Sequence, residues 1–334
     1  LPDFITARPS QVIKQPSPPA SNRNFGAAPS LVTGPVPDAD KMRCERLFIC
    51  IAHQLNVSFW FTSSNRATAL TNWTQLSPSR LHRCDSILAF GMTDVGRVRK
   101  SNEDNFLIDE TLGLFVVGDG MGGHEAGEIA SAAALRTLRD FVQKTLNTDP
   151  DATWSDGSMP AVETMFAAIE YANLDLYRQN VANLHPEGRG MGTTLTGWWQ
   201  FVPGTPIVVF HVGDSRLYLF RAGQLTQLTK DQTLYQQAVD LGRVDHLPAR
   251  NLLLQAVGPS DTITPEVFTH PVKSGDLYLL CSDGLHSSVT DQTILNVLGL
   301  TTADNLPERC AELIALANQA GGKDNITVLL ARCA

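Results

Sequence analysis

Four aspartates, Asp119, Asp214, Asp283 and Asp324, each stand at the end of an apolar run, beside or near glycine or serine. Asp119 follows LFVV in LFVVGDGMGG, and Asp214 follows IVVFHV in HVGDSR. Asp283 follows LYLLC in CSDGL, and Asp324 precedes ITVLL in GGKDNIT. One such residue is ordinary turn chemistry, an Asp bonded to its own backbone. Four on different strands repel one another if they converge, unless a cation joins them. With a cation they form an oxygen cage of the kind Mg²⁺ or Mn²⁺ prefers. Arg99 supplies the opposite charge, five residues before Asp104 and close to Asn102 and Glu103. A guanidinium fork can grip a phosphate through two parallel hydrogen bonds; a surface ion pair with Glu103 or Asp104 is the local alternative.

These residues need strands to carry them. Apolar runs at 87–93, 106–108, 114–117, 192–201, 207–212, 216–220, 225–228, 277–281 and 326–331 predict strands. The segment 118–120, Gly-Asp-Gly, reads as a tight turn closing its strand, and Arg221-Ala222-Gly223-Gln224 reads as a hairpin connection. Apolar stripes predict helices near 125–146, 161–184, 234–241, 291–298 and 307–320. Strands mostly follow strands and helices follow helices, which favours a layered α+β domain over an alternating parallel sheet. Residues 1–40 are dense in Pro, Ser, Ala and Asn, and 41–83 hold no sustained period. The chain therefore divides into an extension, 1–85, expected to be largely disordered or poorly structured, and a domain, 86–334.

The formal net charge of -8 argues against a nucleic-acid backbone or an anionic membrane as main partner. Six cysteines at irregular spacing, with no CxxC pair, suggest neither a zinc site nor a disulfide framework, so a reducing cytoplasm is expected. No basic-then-apolar signal opens the chain, and the most apolar early segment, 47–55, contains His53 and Gln54 and is too short to span a bilayer.

RKSNED, DGMGG, GMGTT, HVGDSR, SDGL and GGKDNIT, in that order, resemble the motif series of the metal-dependent protein phosphatase family, the type 2C serine/threonine phosphatases, in its bacterial form. The resemblance covers about 87–334 and not the first eighty-odd residues. It implies a four-layer α-β-β-α sandwich of two antiparallel sheets flanked by helix pairs, with metals at one edge. By the same resemblance, Asp119 would bridge two Mn²⁺ or Mg²⁺ ions, the Gly120 carbonyl would bind the first, and Asp283 with Asp324 would hold the second. Glu103 and Asp104 would act partly through water, Asp214 with Asp283 would form a third, weaker site, and Arg99 would orient the substrate phosphate.

The implied chemistry centres on Asp119, Asp283 and Arg99: a water bridging two cations about 3.5–4 Å apart loses a proton near neutral pH and attacks phosphorus. The cations and Arg99 neutralise the developing charge. The implied role is hydrolysis of phosphoserine and phosphothreonine in proteins by a monomer, opposing a bacterial Ser/Thr kinase. The alternative is a catalytically silent phosphoprotein-binding module of the same fold, which missing metal-site carboxylates would mark; all four aspartates are present. Two departures stand out. Met121 occupies the position where eukaryotic relatives carry a histidine proposed as general acid, leaving the proton donor unassigned, with His124 nearby. The flap, 230–250, is short and carries Gln232 where a histidine is frequent. Cys281 reads as an inert thiol, and Thr193 and Thr194 as strand packing.

Overall fold

The computed structural model describes residues 75–122, 126–148, 159–183, 190–200 and 202–334. Their strands are β1 (Leu81–Cys84), β2 (Ile87–Asp94), β3 (Asp104–Asp109), β4 (Leu114–Met121), β5 (Gly192–Thr193), β6 (Leu195–Trp199), β7 (Ile207–Val212), β8 (Arg216–Arg221), β9 (Gln224–Gln227), β10 (Glu266–His270), β11 (Leu277–Cys281) and β12 (Ile326–Cys333). Helices are α1 (Ala126–Thr148), α2 (Met159–Ala182), α3 (Leu234–Asp240), α4 (Asp283–His286), α5 (Asp291–Gly299) and α6 (Leu306–Gln319). Among these residues, no helix is long and apolar enough to cross a membrane.

Two six-stranded sheets form, one in the order β1-β2-β12-β11-β8-β9 and one in the order β10-β7-β6-β4-β3 with β5 against β4. All pairings are antiparallel. Antiparallel strands usually alternate polar and apolar residues, yet β7 and β11 are buried at every position. The reason is that both faces of each sheet are covered. Phe106, Phe115, Trp198, Leu217, Tyr278 and Leu329 fill the space between the sheets, where Phe115 stacks on Trp198 at 4.0 Å. On the outer side of the second sheet, Leu114, Val116 and Trp199 pack against Leu135 and Leu138 of α1 and Met165 and Ile169 of α2. On the outer side of the first, Leu279 and Val328 meet Ile294 of α5 and Leu313 of α6. The layer order is helix, sheet, sheet, helix, as the resemblance implies.

Three local expectations change. Gly118, Asp119 and Gly120 do not form a turn; they continue β4, with Asp119 directly across from Asp104 of β3 and Gly120 paired with Thr193 of β5. The glycines permit this crowding. A Cβ on Gly120 would lie 2.1 Å from the Gly127 carbonyl oxygen and 2.4 Å from that of Glu103. β1 falls inside the stretch assigned to the extension and pairs with β2, and β10, Glu-Val-Phe-Thr-His, went unread because its half-exposed, mixed composition carries no strong period.

Candidate active site

The antiparallel registers bring several strand ends to one edge of the sandwich. Asp104 opens β3 opposite Asp119; Asp283 begins α4, just after β11, with Ser282 as its N-cap. Asp214 sits between β7 and β8, and Asp324 lies two residues before β12. Each of these sites borders the end of a buried strand, so the carboxylates are taken partly out of water together.

Their electrostatics express that placement. Burial lifts the Asp104 carboxyl to about 7; hydroxyl hydrogen bonds from Ser282 and Thr327 oppose the rise, and the charges of Asp283 and Asp324 add to it. Burial and then the charges of Asp104, Asp283, Asp214 and Asp324 push Asp119 well above the usual carboxylate range. Asp214 is raised to about 7, again by burial first and Asp283 next. Asp283 rises to about 6 through burial and Asp324, against the pull of Arg99 and of a hydrogen bond with Asp119. Burial also raises Glu103, with Arg99 opposing it. Such same-sign crowding is the signature of a functional site rather than of a stabilising network.

Hydroxyls and amides from distant parts of the chain fix these groups. Asp104 Oδ2 accepts hydrogen bonds from Ser282 Oγ and Thr327 Oγ1, both at 2.7 Å. Thr327 Oγ1 is 2.8 Å from Thr93 Oγ1, which also accepts from Asn102 Nδ2 at 2.8 Å. Asp104 Oδ1 and Asp283 Oδ1, by contrast, are buried with no hydrogen-bond partner. Asp119 is held by its backbone: its N–H donates to Thr194 Oγ1 at 2.9 Å, and its carbonyl accepts from Thr193 Oγ1 at 3.0 Å. Thr193 and Thr194 thus do more than pack a strand.

Arg99 pairs with neither Glu103 nor Asp104. Its Nη2 donates to Asp324 Oδ2 at 2.7 Å, with half of the Arg99 side chain exposed. Asn325 anchors the loop that carries it, accepting from the Glu103 N–H at 2.9 Å and donating to the Val95 and Ser101 carbonyls at 3.0 and 2.9 Å.

The Asp214 turn is clamped from two sides. His286 Nε2 donates to the Asp214 carbonyl at 2.9 Å, and burial lowers that imidazole to about 4, so the ring is neutral. Gln232 Oε1 accepts from the Gly213 N–H at 2.9 Å and from Gln255 Nε2 at 2.9 Å, tying the flap to the same turn. Burial raises the Cys281 thiol to about 12, leaving it inert. His124 lies outside the described residues.

Oxygen donors of this kind suit a hard divalent cation, and the two orphaned carboxylate oxygens are free to accept one. Among the described residues, however, no group of three or more His, Cys, Asp or Glu closes into a compact ligand cluster. Asp324 is turned to Arg99. Ser282, Thr327, His286 and Asn325 were not singled out from sequence. Ser282 and Asn325 adjoin a motif aspartate and Thr327 and His286 follow one by three residues, but sequence does not disclose partners up to 230 residues away.

A family model described as protein phosphatase 2C matches residues 97–330. The serine/threonine protein phosphatase PstP of Mycobacterium tuberculosis is 37% identical over 245 residues, covering 72% of this chain and 43% of that protein. This chain thus matches less than half the length of that relative. The serine/threonine phosphatase stp of Listeria welshimeri is 34% identical over 249 residues, 71% of this chain and 92% of that one. The crystal structure of M. tuberculosis PstP/Ppp superposes with a TM-score of 0.63 at 34% identity, covering 74% of this chain and 98% of that one. A structure of the PstP catalytic domain in complex with 2 manganese ions superposes with a TM-score of 0.61 at 35% identity, covering 74% of this chain and 97% of that one.

Proposed function

The chain belongs to the protein phosphatase 2C family, and from that premise we propose that it is a metal-dependent phosphatase hydrolysing phosphoserine and phosphothreonine in proteins. The observation that carries this reading is the convergence of Asp104, Asp119, Asp214 and Asp283 at one edge, raised by burial and by one another, with two carboxylate oxygens left unpartnered.

Asp119, the Gly120 carbonyl, Asp283 and Asp324 would hold two Mn²⁺ or Mg²⁺ ions, with Glu103 and Asp104 supporting them and Asp214 serving a third, weaker site. Bound there, divalent cations supply Lewis acidity, which activates water for attack and offsets charge on the phosphoryl oxygens. The protein's own groups do the rest. Ser282 and Thr327 fix one oxygen of Asp104, which sets the orientation of its other, unpartnered oxygen. Thr193 and Thr194 hold the Asp119 backbone against β5. Arg99, half exposed at the rim, exchanges its bond with Asp324 for the substrate phosphate, which its fork fits better than a single carboxylate oxygen. Cys281 takes no part.

The substrate of such an enzyme is the product of a Ser/Thr kinase, so we infer a functional pairing with one. Among the described residues four cysteines are buried free thiols, which suits a reducing cytoplasm.

The test is hydrolysis of p-nitrophenyl phosphate and a phosphothreonine peptide with Mn²⁺ by the full chain, set beside Asp119→Ala and Asp283→Ala. Each variant should lose roughly 10²-fold or more in turnover, the scale of losing one preorganised electrostatic group. Equal turnover in parent and variants would sink the reading. Peptide binding without turnover in the parent would favour the silent binding module instead.

A further inference from the structure

An anionic substrate meets an adverse field here. The formal net charge is -8, and the site edge concentrates Glu103, Asp104, Asp119, Asp214, Asp283 and Asp324. The rim beside it has the opposite sign. Arg97, Arg99 and Lys100 are exposed on the loop between β2 and β3, and Lys323 is exposed on the turn before β12. Loop and turn form one surface: the Arg97 and Val98 N–H groups donate to the Gly322 carbonyl at 2.7 and 3.2 Å. Gly96 abuts the turn so closely that a Cβ would lie 2.2 Å from the Asp324 carbonyl oxygen.

Within this group only Arg99 is engaged, through Asp324. Arg97, Lys100 and Lys323 have no ion pair or side-chain hydrogen bond among the described residues. Three unpaired cations beside a pocket of carboxylates would ordinarily be drawn to those carboxylates. They are exposed instead, on a loop and turn pinned to each other by Asn325 and Gly322.

Resting on the phosphatase reading, we propose that Arg97, Lys100 and Lys323 form an anion-accepting rim that selects phosphoproteins carrying acidic or further phosphorylated residues beside the phosphorylated side chain. Arg97 and Lys100 are three residues apart, so their Cα atoms lie at most about 11 Å from each other. An extended peptide advances about 3.3 Å per residue, so the rim addresses roughly three positions flanking the one gripped by Arg99. Each contact is an exposed pair, individually weak and screened by salt, and three of them give a preference rather than an absolute requirement. The partner is a peptide because the rim adjoins the Arg99 end of the site, where a phosphorylated side chain would enter.

The test uses the full chain with Mn²⁺ and two phosphothreonine peptides, one with glutamates and one with glutamines at three flanking positions, with p-nitrophenyl phosphate as a flank-free control. The parent should favour the acidic peptide by about tenfold in kcat/KM at low salt, mostly through KM, and lose most of that preference at about 0.5 M NaCl. The triple variant R97A/K100A/K323A should erase the preference while turnover of p-nitrophenyl phosphate stays within about twofold. Fluorescence anisotropy with the same two peptides reads the rim without any turnover. Tighter binding of the acidic peptide by the parent and not by the triple variant supports the rim even if p-nitrophenyl phosphate is not hydrolysed, an outcome that would overturn the activity reading alone. Equal affinity and kcat/KM for both peptides in the parent, or a preference that survives in the triple variant, overturns the rim.

Discussion

Strand β11 has an aspartate beyond each end, Asp276 buried and Asp283 partly buried, and the two are treated in opposite ways. Asp276 precedes the strand and is gripped by Arg221, whose Nε and Nη2 both reach it at 2.6 Å; the Lys273 N–H adds a third bond at 2.7 Å. Burial works to raise this carboxyl, but the Arg221 and Lys273 hydrogen bonds outweigh it and hold the group below its ordinary value. Asp283 follows the strand, keeps one oxygen without a partner, and is lifted to about 6 by burial and Asp324. The fold can build a cation beside a buried carboxylate, and does so again at Arg216 and Asp231. At the Asp283 edge it gathers carboxylates instead. On the phosphatase reading, the difference separates a structural ion pair from a site that would receive a ligand of opposite charge.

The largest expected effect on stability comes from breaking the paired end. Arg221→Ala leaves Asp276 buried without its charge partner and should cost about 2–3 kcal/mol, read as a lowered urea midpoint with unchanged slope. A cost below ~0.5 kcal/mol would mean that the two ends do not differ in kind.

At the other end the sign reverses. In chain stripped of divalent ions, Asp104→Asn keeps an oxygen for the Ser282 and Thr327 hydroxyls while removing a negative charge. It should stabilise the stripped chain by roughly 1–2 kcal/mol at pH 8. Destabilisation would show that Asp104 is held by something other than the two hydroxyls.

The pH response sharpens the same contrast. Asp104 and Asp214 have folded values of about 7 against about 3.8 unfolded, so their contribution is present at low pH and lost as pH rises through 7. His211 and His286, buried at about 4 against about 6.5 unfolded, contribute above 6.5 and lose that contribution as pH falls toward 4. Between pH 8 and 6.5 the gain from the two carboxylates outweighs the loss from the two imidazoles, which begins as pH nears 6.5. The stripped chain should therefore gain stability on acidification across that window, by roughly 1 kcal/mol, and Asp104→Asn should flatten the gain. A loss of stability over the same window would contradict the shared burial of the carboxylates.

The smallest effect concerns the start of the described chain. Leu76 and Ser77 attach to β3 through Leu76 N–H to Asn105 Oδ1 at 3.0 Å and Ile108 N–H to Ser77 Oγ at 2.9 Å, and His82 Nδ1 lies 2.7 Å from Glu110 Oε1. A chain starting at residue 85 should melt a few degrees below one starting at residue 75. Equal melting temperatures would return this stretch to the extension.

Much of this was legible in the sequence. Runs such as LYLLC and LFVV are apolar without interruption because both faces of their strands are covered, so length and composition revealed them where alternation could not. The acidic residues at their ends were legible for the same reason, since a charge beside a buried run stands out. Asp119 was misjudged locally: Gly-Asp-Gly looks like a turn until the crowding by Gly127 and Glu103, which demands glycine within a strand, is seen. The positioning groups were hidden for a different reason. Ser282 and Thr327 are unremarkable in their own segments, and only the tertiary fold sets them on Asp104 across 178 and 223 residues. The Arg99 partner was missed in sequence because the nearby Glu103 and Asp104 were the visible acidic groups, and only the loop's course brings in Asp324, 225 residues away.

The most direct measurement is the melting temperature of the stripped full chain with and without Mn²⁺, for the parent and for the double variant Asp119→Asn/Asp283→Asn. At a hundredfold excess over its dissociation constant, a bound ion adds about 2.7 kcal/mol. That amounts to roughly 5–10 °C for a domain of this size. The account predicts such a rise in the parent and none in the double variant; an equal rise in both, or none in the parent, would contradict it.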